Sequence, residues 1–366
     1  MSRELRHRGA APSREREAGE AVDPGAADSP AAVPGAPPLP VAVCTASPSL
    51  ALLKYWGKRG GRKNLPATPS LAVSLEALKT TTRVRIADRD EVIVDGKPQD
   101  PERYTPFFAE ARRLLGVEIR FHAESVNTFP AAAGLASSSS GFAALALACA
   151  TLAASPAGGA PARRRAAAPS PARLSALARL GSASAARALF GGFVLLPAGG
   201  RFARQLAPAD HWPELRILVA VVAEEAKELS SRVAMERTKT TSPYYRPWVR
   251  SAAAELPEAV EALMRRDLER LGGAMRRSYF RMFASMLACD PPILYWAPES
   301  LALIRACERL RAEGIGAWET MDAGPQVKVL CLAHELPRVR QRLEALGVRL
   351  IESRVGGPAE AHLEVS

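Results

Sequence analysis

Pro130-Ala131-Ala132-Ala133-Gly134-Leu135-Ala136-Ser137-Ser138-Ser139-Ser140-Gly141 is the stretch on which the reading of this chain turns. It follows a segment with strand character, 117–125, and runs into the apolar stretch 141–154, which reads as a buried helix too short to span a bilayer. Small residues let backbone N–H groups approach an anion closely. The start of a helix adds free N–H donors and a partial positive charge. Four consecutive hydroxyls, Ser137 to Ser140, add contacts for a phosphate and its counter-ion. The pattern is not G-x-x-x-x-G-K-[ST], so this is not a Walker loop. Taken alone, a Gly/Ala/Ser stretch also serves as a linker or a cap, and its surroundings have to decide.

Working outward, short elements alternate in type. Residues 51–55 predict a strand. Residues 70–76 and 80–86 predict paired strands, the second with Thr82, Val84 and Ile86 on one face. Residues 91–94 followed by Asp95-Gly96 predict a hairpin. Residues 101–115 predict a helix ended by Gly116. Beyond the loop come a helix at 173–180, a strand at 191–196 and a strongly apolar strand at 215–222. Helices are expected at 248–256, 258–286, 300–313 and 335–346, with strands at 318–321, 327–332 and 348–353. Strands followed by helices in both halves, without repeating βαβ units, give an α+β class.

Composition sets the bounds. The 366 residues allow one large or two medium domains at roughly 100–200 residues each. The net charge of +11 invites a nucleic-acid reading. The excess is mostly Arg scattered among Ala and Leu at helical spacing, with no interleaved aromatics to stack bases, so no nucleic acid is expected. No transmembrane run is present and no membrane partner is expected. Five widely spaced cysteines form no CxxC, and their odd number rules out a complete disulfide framework, which points to a reducing cytoplasm. Residues 1–40, rich in Ala, Pro, Gly, Arg and Glu, predict a disordered tail. Residues 155–173 predict a low-complexity, solvated insertion between two helices. The parts are then a tail at 1–40, one lobe at 41–208 and a second at 209–366.

Three further segments carry candidate chemistry. Lys54-Tyr55-Trp56-Gly57-Lys58-Arg59 offers charge, a hydroxyl and packing at a strand end, and equally a solvated strand edge. Ser182 and Ser184 ahead of Arg187 suit a carboxylate or phosphate, since Arg supplies a bidentate fork; they equally suit an ordinary cap. Asp322 sits on the turn Asp322-Ala323-Gly324-Pro325 between two strands, as an Asx-turn or as an active-site carboxylate.

Together and in this order, KYWGKR (54–59), NLP (64–66), NTFPAAAGLASSSSG (127–141), GSASAARALFGGF (181–193), HWPEL (211–215) and MDAGP (321–325) resemble the diphosphomevalonate decarboxylases of the GHMP kinase superfamily. The resemblance covers about residues 42–346. It implies a two-lobed α+β fold with a cleft: an N-terminal lobe like that of ribosomal protein S5 and a ferredoxin-like C-terminal lobe. It implies ATP and Mg2+ as cofactors, mevalonate 5-diphosphate as substrate and a homodimer. By position, Asp322, Lys54 and Arg187 match the catalytic group, with Asp322 at the C3 hydroxyl and Arg187 on the C1 carboxylate. Tyr55, Trp56, Lys58, Ser182 and Ser184 match substrate-binding positions. Pro130, Ala133, Gly134, Leu135, Ala136, Ser137, Ser138, Ser139, Ser140 and Gly141, with Lys227 and Ser231, match the ATP side, Ser139 being the candidate magnesium contact.

Three positions depart from the family pattern: Ser49 where Asn is frequent, Ala67-Thr68-Pro69-Ser70 for Thr-Asn-Ser-Ser, and Gln326 where Asn follows DAGP. They bear on whether the substrate is the 5-diphosphate or the 5-phosphate, or whether the reaction stops at a 3-kinase step. An inactive relative that only binds ligand is the reading from another class. Retention of both Asp322 and Arg187 favours full decarboxylation.

Overall fold

The computed structural model describes residues 40–60, 64–129, 137–158, 169–223 and 229–365. The loop 130–136, most of the expected insertion, Lys227 and residues 1–39 of the expected tail lie outside the described residues.

The first half is built on a six-stranded sheet ordered β14-β1-β4-β7-β5-β6. Its strands are β1 (Pro40–Ala46), β4 (Thr80–Ala87), β5 (Glu91–Val94), β6 (Lys97–Pro98), β7 (Arg120–Asn127) and β14 (Glu360–Val365). Thr80, Thr82 and Val84 are buried on one face of β4 while Arg83 and Arg85 are exposed, so the two-residue period holds. Asp95 and Gly96 both take positive φ, 49° and 74°, and close β5 onto β6 as Asp-Gly predicts.

Helix α1 (Pro101–Leu115) starts where the Asp100 side chain accepts from Glu102 N–H, and stops at left-handed Gly116. Helix α2 (Ser137–Ala154) is apolar on all sides. It is long and apolar enough to cross a membrane, but here it packs into the core against β1, β4, α1, α3 (Pro171–Gly181) and the short α4 (Ala185–Ala188). Ser155 and the turn Pro156–Gly158 continue α2 within the expected insertion, and α3 starts at Pro171, inside its other end.

A second sheet, β2-β3-β8-β9, combines Ser49–Ala51, Ser70–Ser74, Phe193–Leu196 and Arg204–Ala207. A third, β11-β12-β10-β13, combines Trp318–Met321, Val327–Leu332, Leu215–Val221 and Arg349–Ser353. Leu50, Leu71, Val73 and Phe193 of the second sheet share one apolar cluster with Ile217, Val219 and Leu330 of the third. The opposite face of the third sheet is covered by α5 (Ser231–Thr241), α6 (Tyr245–Ala254), α8 (Leu268–Leu287), α9 (Pro298–Ala312) and α10 (Leu336–Glu344). Helix α7 (Leu256–Met264) packs beside α8.

Several expectations change. The strand expected at 51–55 ends at Ala51, because Leu52 and Leu53 N–H both turn to Leu71 O and Lys54 N–H is taken by the Ser278 hydroxyl. The strands at 70–76 and 80–86 do not pair. They enter different sheets, and Glu76 and Ala77 bond instead to Arg354 O and the Ser353 hydroxyl of the chain's last part. The single helix at 258–286 is two, broken by Arg266 at φ 57° and restarted by Asp267, whose carboxylate accepts from Arg270 N–H. Strands β1 and β14 were not expected. Their antiparallel pairing returns a strand from the expected second lobe, 209–366, to the first sheet.

Candidate active site

The residues that the sequence singled out meet where the three sheets approach one another. Lys54 leaves β2 and turns inward, 1 % exposed. Its ammonium donates to Ala51 O at 2.6 Å and to Asp322 Oδ1 at 2.8 Å. Asp322 caps the end of β11, 26 % of its side chain open. Its second oxygen, Oδ2, lies 3.4 Å from the ammonium of Lys328, a β12 residue 2 % exposed. Burial by itself would push the Asp322 carboxyl up; the charges of Lys54, Lys328 and Arg187 outweigh it and hold it well below the usual carboxylate range. Burial also lowers Lys54 to about 8, against the raising effect of Asp322.

Arg187 lies on α4, 3 % exposed. Burial lowers it to about 10, opposed by Asp322 and Tyr55. Its Nε and Nη1 find no hydrogen-bond partner among the described residues, and neither does the buried Tyr55 hydroxyl. A buried guanidinium with free donors costs several kcal/mol unless an anion joins it, on the order of ~3–5 kcal/mol for a broken buried pair. Its fork of N–H groups fits a carboxylate in two places at once.

Hydroxyls connect this cluster to the start of α2. Ser138 Oγ is 3.4 Å from Ser182 Oγ, which is 3.0 Å from Ser184 Oγ. Beside them, a cavity of about 430 Å³ opens between α2 and the β5–β7 edge, lined by Ser137, Ser138, Gly141, Phe142, Tyr104 and Asn127 among others. That is the size of a small-ligand pocket, about 300–1,000 Å³. The other two loop serines face inward. Ser139 is fully buried against Ser49 Oγ at 3.3 Å, and Ser140 against Thr80 Oγ1 at 2.6 Å. They fix the first turn of α2 to β2 and β4.

Trp56 also turns into the fold. It is 3 % exposed, its indole N–H donates to Thr238 Oγ1 at 3.0 Å, and its carbonyl accepts from the Trp248 indole. It ties the 54–58 segment to α5 and α6. Lys58 donates to Asn64 Oδ1 at 2.7 Å and is lowered to about 8, mainly by burial and further by Arg232. Ser231 opens α5. Pro130, Ala133, Gly134, Leu135, Ala136 and Lys227 lie outside the described residues.

Two of the departures are structural. The Thr68 hydroxyl accepts from Trp56 N–H at 3.3 Å and holds the 54–56 turn. Gln326, 1 % exposed, accepts from Val222 N–H and donates to Ala223 O, fastening the end of β10. Two functional features were missed. Lys328 could have been found as a charge inside the continuous apolar strand Val-Lys-Val-Leu-Cys-Leu. The cavity gave no local signal, since four separated stretches form it, Thr80, 92–104, 125–127 and 137–145.

This arrangement, an anion-friendly helix start facing a carboxylate framed by cations across a cleft, defines an enzyme of the GHMP kinase fold. Residues 46–207 match the model of the diphosphomevalonate decarboxylase-like N-terminal domain, and residues 217–352 that of the mevalonate 5-diphosphate decarboxylase C-terminal domain. The chain belongs to the diphosphomevalonate decarboxylase family. The Homo sapiens diphosphomevalonate decarboxylase is 33% identical over 325 residues, 81% of this chain and 78% of the relative. The solved mevalonate diphosphate decarboxylase of Staphylococcus aureus is 29% identical with a TM-score of 0.79, covering 88% of this chain and 98% of that one. A second solved relative, MDDEF in complex with MVAPP, AMPPCP and magnesium, is 33% identical with a TM-score of 0.78, covering 88% and 99%.

Proposed function

We propose that this protein carries out the ATP-dependent decarboxylation of mevalonate 5-diphosphate to isopentenyl diphosphate, with Arg187, Asp322 and Lys54 as its working centre. The observation that carries this reading is the buried Arg187, with Nε and Nη1 unpartnered beside an ionised Asp322. A decarboxylase needs the C1 carboxylate held while the bond to it breaks.

The C3 hydroxyl of the substrate attacks the γ-phosphorus of ATP, and the bond from that phosphorus to the bridging oxygen breaks, its electron pair leaving with ADP. Asp322 accepts the hydrogen bond of that hydroxyl and orients it. Because its cations keep it so weakly basic, Asp322 takes the proton only as the new P–O bond forms and the hydroxyl turns acidic, and not before. The C3–O bond then breaks with its electron pair going to phosphate. The C1–C2 pair becomes the C2=C3 double bond as carbon dioxide departs. Arg187 fixes the carboxylate in the geometry this requires, which removes much of the entropic barrier. Lys54 neutralises charge at the transferred phosphoryl group. Tyr55, Lys58, Ser182 and Ser184 hold the 5-diphosphate.

The 430 Å³ cavity beside the start of α2 is of a size to take the base and ribose of ATP, whose phosphates would then meet the first turn of that helix. Among the described residues no group of three His, Cys, Asp or Glu side chains gathers to hold a metal. This donor set fits a magnesium ion carried mainly by the nucleotide's phosphates, with Ser137 and Ser138 nearby. When bound, the ion neutralises phosphate charge. Five free, buried cysteines fit a reducing cytoplasm. The homodimer that the family resemblance implies is part of this reading.

Incubation with Mg-ATP and either mevalonate 5-diphosphate or mevalonate 5-phosphate, with products identified by mass, tests the assignment. Isopentenyl diphosphate from the first is expected. Preferential decarboxylation of the monophosphate contradicts the substrate, and unchanged material in both contradicts the activity.

A further inference from the structure

Lys328 is a lysine in the wrong place for a structural residue. It sits in β12, the strand hydrogen-bonded to both β10 and β11. Its register partners are Val219 on one side and Thr320 on the other. Val219 and Leu330, next to it on that face of the sheet, belong to the apolar cluster shared with the second sheet. An ammonium buried to 2 % in such surroundings is costly unless a charge answers it. One does: Asp322 Oδ2, at 3.4 Å. Lys54 already serves the other oxygen at 2.8 Å. The carboxylate is therefore gripped from two sides by lysines on different sheets, one following β2 and one inside β12.

We propose that Lys328 is a positioning residue for the reaction: by holding Oδ2 it fixes the plane of the Asp322 carboxylate and keeps it ionised, so that the open quarter of the group meets the substrate hydroxyl. The inference rests on the assignment of Asp322 to that hydroxyl. A carboxylate held through one oxygen can swing about its Cβ–Cγ bond; one held through both cannot. The charged groups acting on it are Lys54, Lys328 and Arg187. In this proposal Lys328 acts through Asp322 and makes no contact of its own with the diphosphate or the nucleotide.

The test is a double-mutant cycle on the full-length enzyme with Mg-ATP and mevalonate 5-diphosphate. Lys328→Met keeps the length and apolar stem, and Lys328→Arg keeps the charge. Lys328→Gln replaces Met if the Met variant melts far below the wild type. Expected for the neutral variant is a kcat about 10- to 100-fold lower, the loss typical of a displaced reacting group, with KM for both substrates within about twofold. Lys328→Arg is expected to recover most of it. In an Asp322→Asn background, Lys328→Met is expected to cost nothing more, since its partner is already gone. A folded neutral variant with wild-type kcat overturns the proposal, and so does an equal loss in the Asp322→Asn background. If Asp322→Asn alone retains wild-type turnover, the assignment of Asp322 has failed instead, which the same cycle reads separately.

Discussion

Asp322 holds one oxygen for Lys54 and the other for Lys328, and it stays ionised across the whole working range of pH. Asp322→Asn keeps the size and loses the charge, so turnover is expected to fall about 10²–10⁴-fold while both ligands still bind; steady-state kinetics with calorimetric binding checks this. The basic side of the pH profile belongs to the lysines. Lys54 and Lys58 are both lowered to about 8, so both shed their protons as pH rises through that value: Lys54 then no longer neutralises the transferred phosphoryl group, and Lys58 loses its hold on the diphosphate. The kcat/KM for mevalonate 5-diphosphate is expected to fall above pH 8, approaching about a hundredfold per unit as two protons leave. A plateau extending past pH 9 contradicts this. At this scale the sequence pointed to residues that lie together: Lys54 and Asp322 bond directly, and Arg187 is close enough to act on both. Trp56, Ser139 and Ser140 turn their side chains into the fold, which a motif does not tell, since it names residues without saying which way they face. The first turn of α2 needs anchoring to the sheets as much as it needs donors.

Among the elements, the turn from Lys54 to Lys58 is held by packing from a distant helix. Gly57 takes φ 94°, and a Cβ there would lie 2.3 Å from the Tyr245 hydroxyl of α6. Gly57→Ala is expected to destabilise the protein by about 1–2 kcal/mol from the backbone alone, read as a lower Tm, and to raise KM for the diphosphate by displacing Lys58. Helix α8 and strand β11 are joined by another buried group. Glu319 is fully buried and accepts from Arg276, Arg311 and the Tyr279 hydroxyl. Glu319→Ala leaves Arg311 without a carboxylate and Arg276 with Glu308 alone, and a loss of about 3–5 kcal/mol in denaturant unfolding is expected. Elements with local signals were legible: α1 with its Asp100 cap and Gly116 stop, the Asp95-Gly96 hairpin, and strands β11 and β12. The break at Arg266 was not, since no Gly or Pro marks it and Asp267 restarts the helix by a cap that reads as one more polar surface residue.

For the molecule as a whole, pairing between distant strands is what the sequence hid. Local patterning predicts that a strand exists and says little about its partner, so β3 and β4 were joined where the fold separates them. Strand β14 pairs with β1 over six residue pairs from Pro40↔Val365 to Thr45↔Glu360 and ties the end of the chain to the first sheet. Removing residues 358–366 exposes that edge, and a lower Tm with aggregation on heating is the expected result. The basic excess of +11 was also legible only in part. Many of the arginines are paired with glutamates, among them Arg276, Arg277, Arg281, Arg311, Arg340 and Arg342.

The central claim is that phosphoryl transfer and loss of carbon dioxide occur at one centre under Arg187 and Asp322. The most direct measurement follows [1-13C]mevalonate 5-diphosphate with Mg-ATP through a single turnover, counting ADP, phosphate and 13CO2. One of each per substrate, appearing together, is the expected result. ADP formed without 13CO2, leaving a stable 3-phosphorylated product, would contradict it.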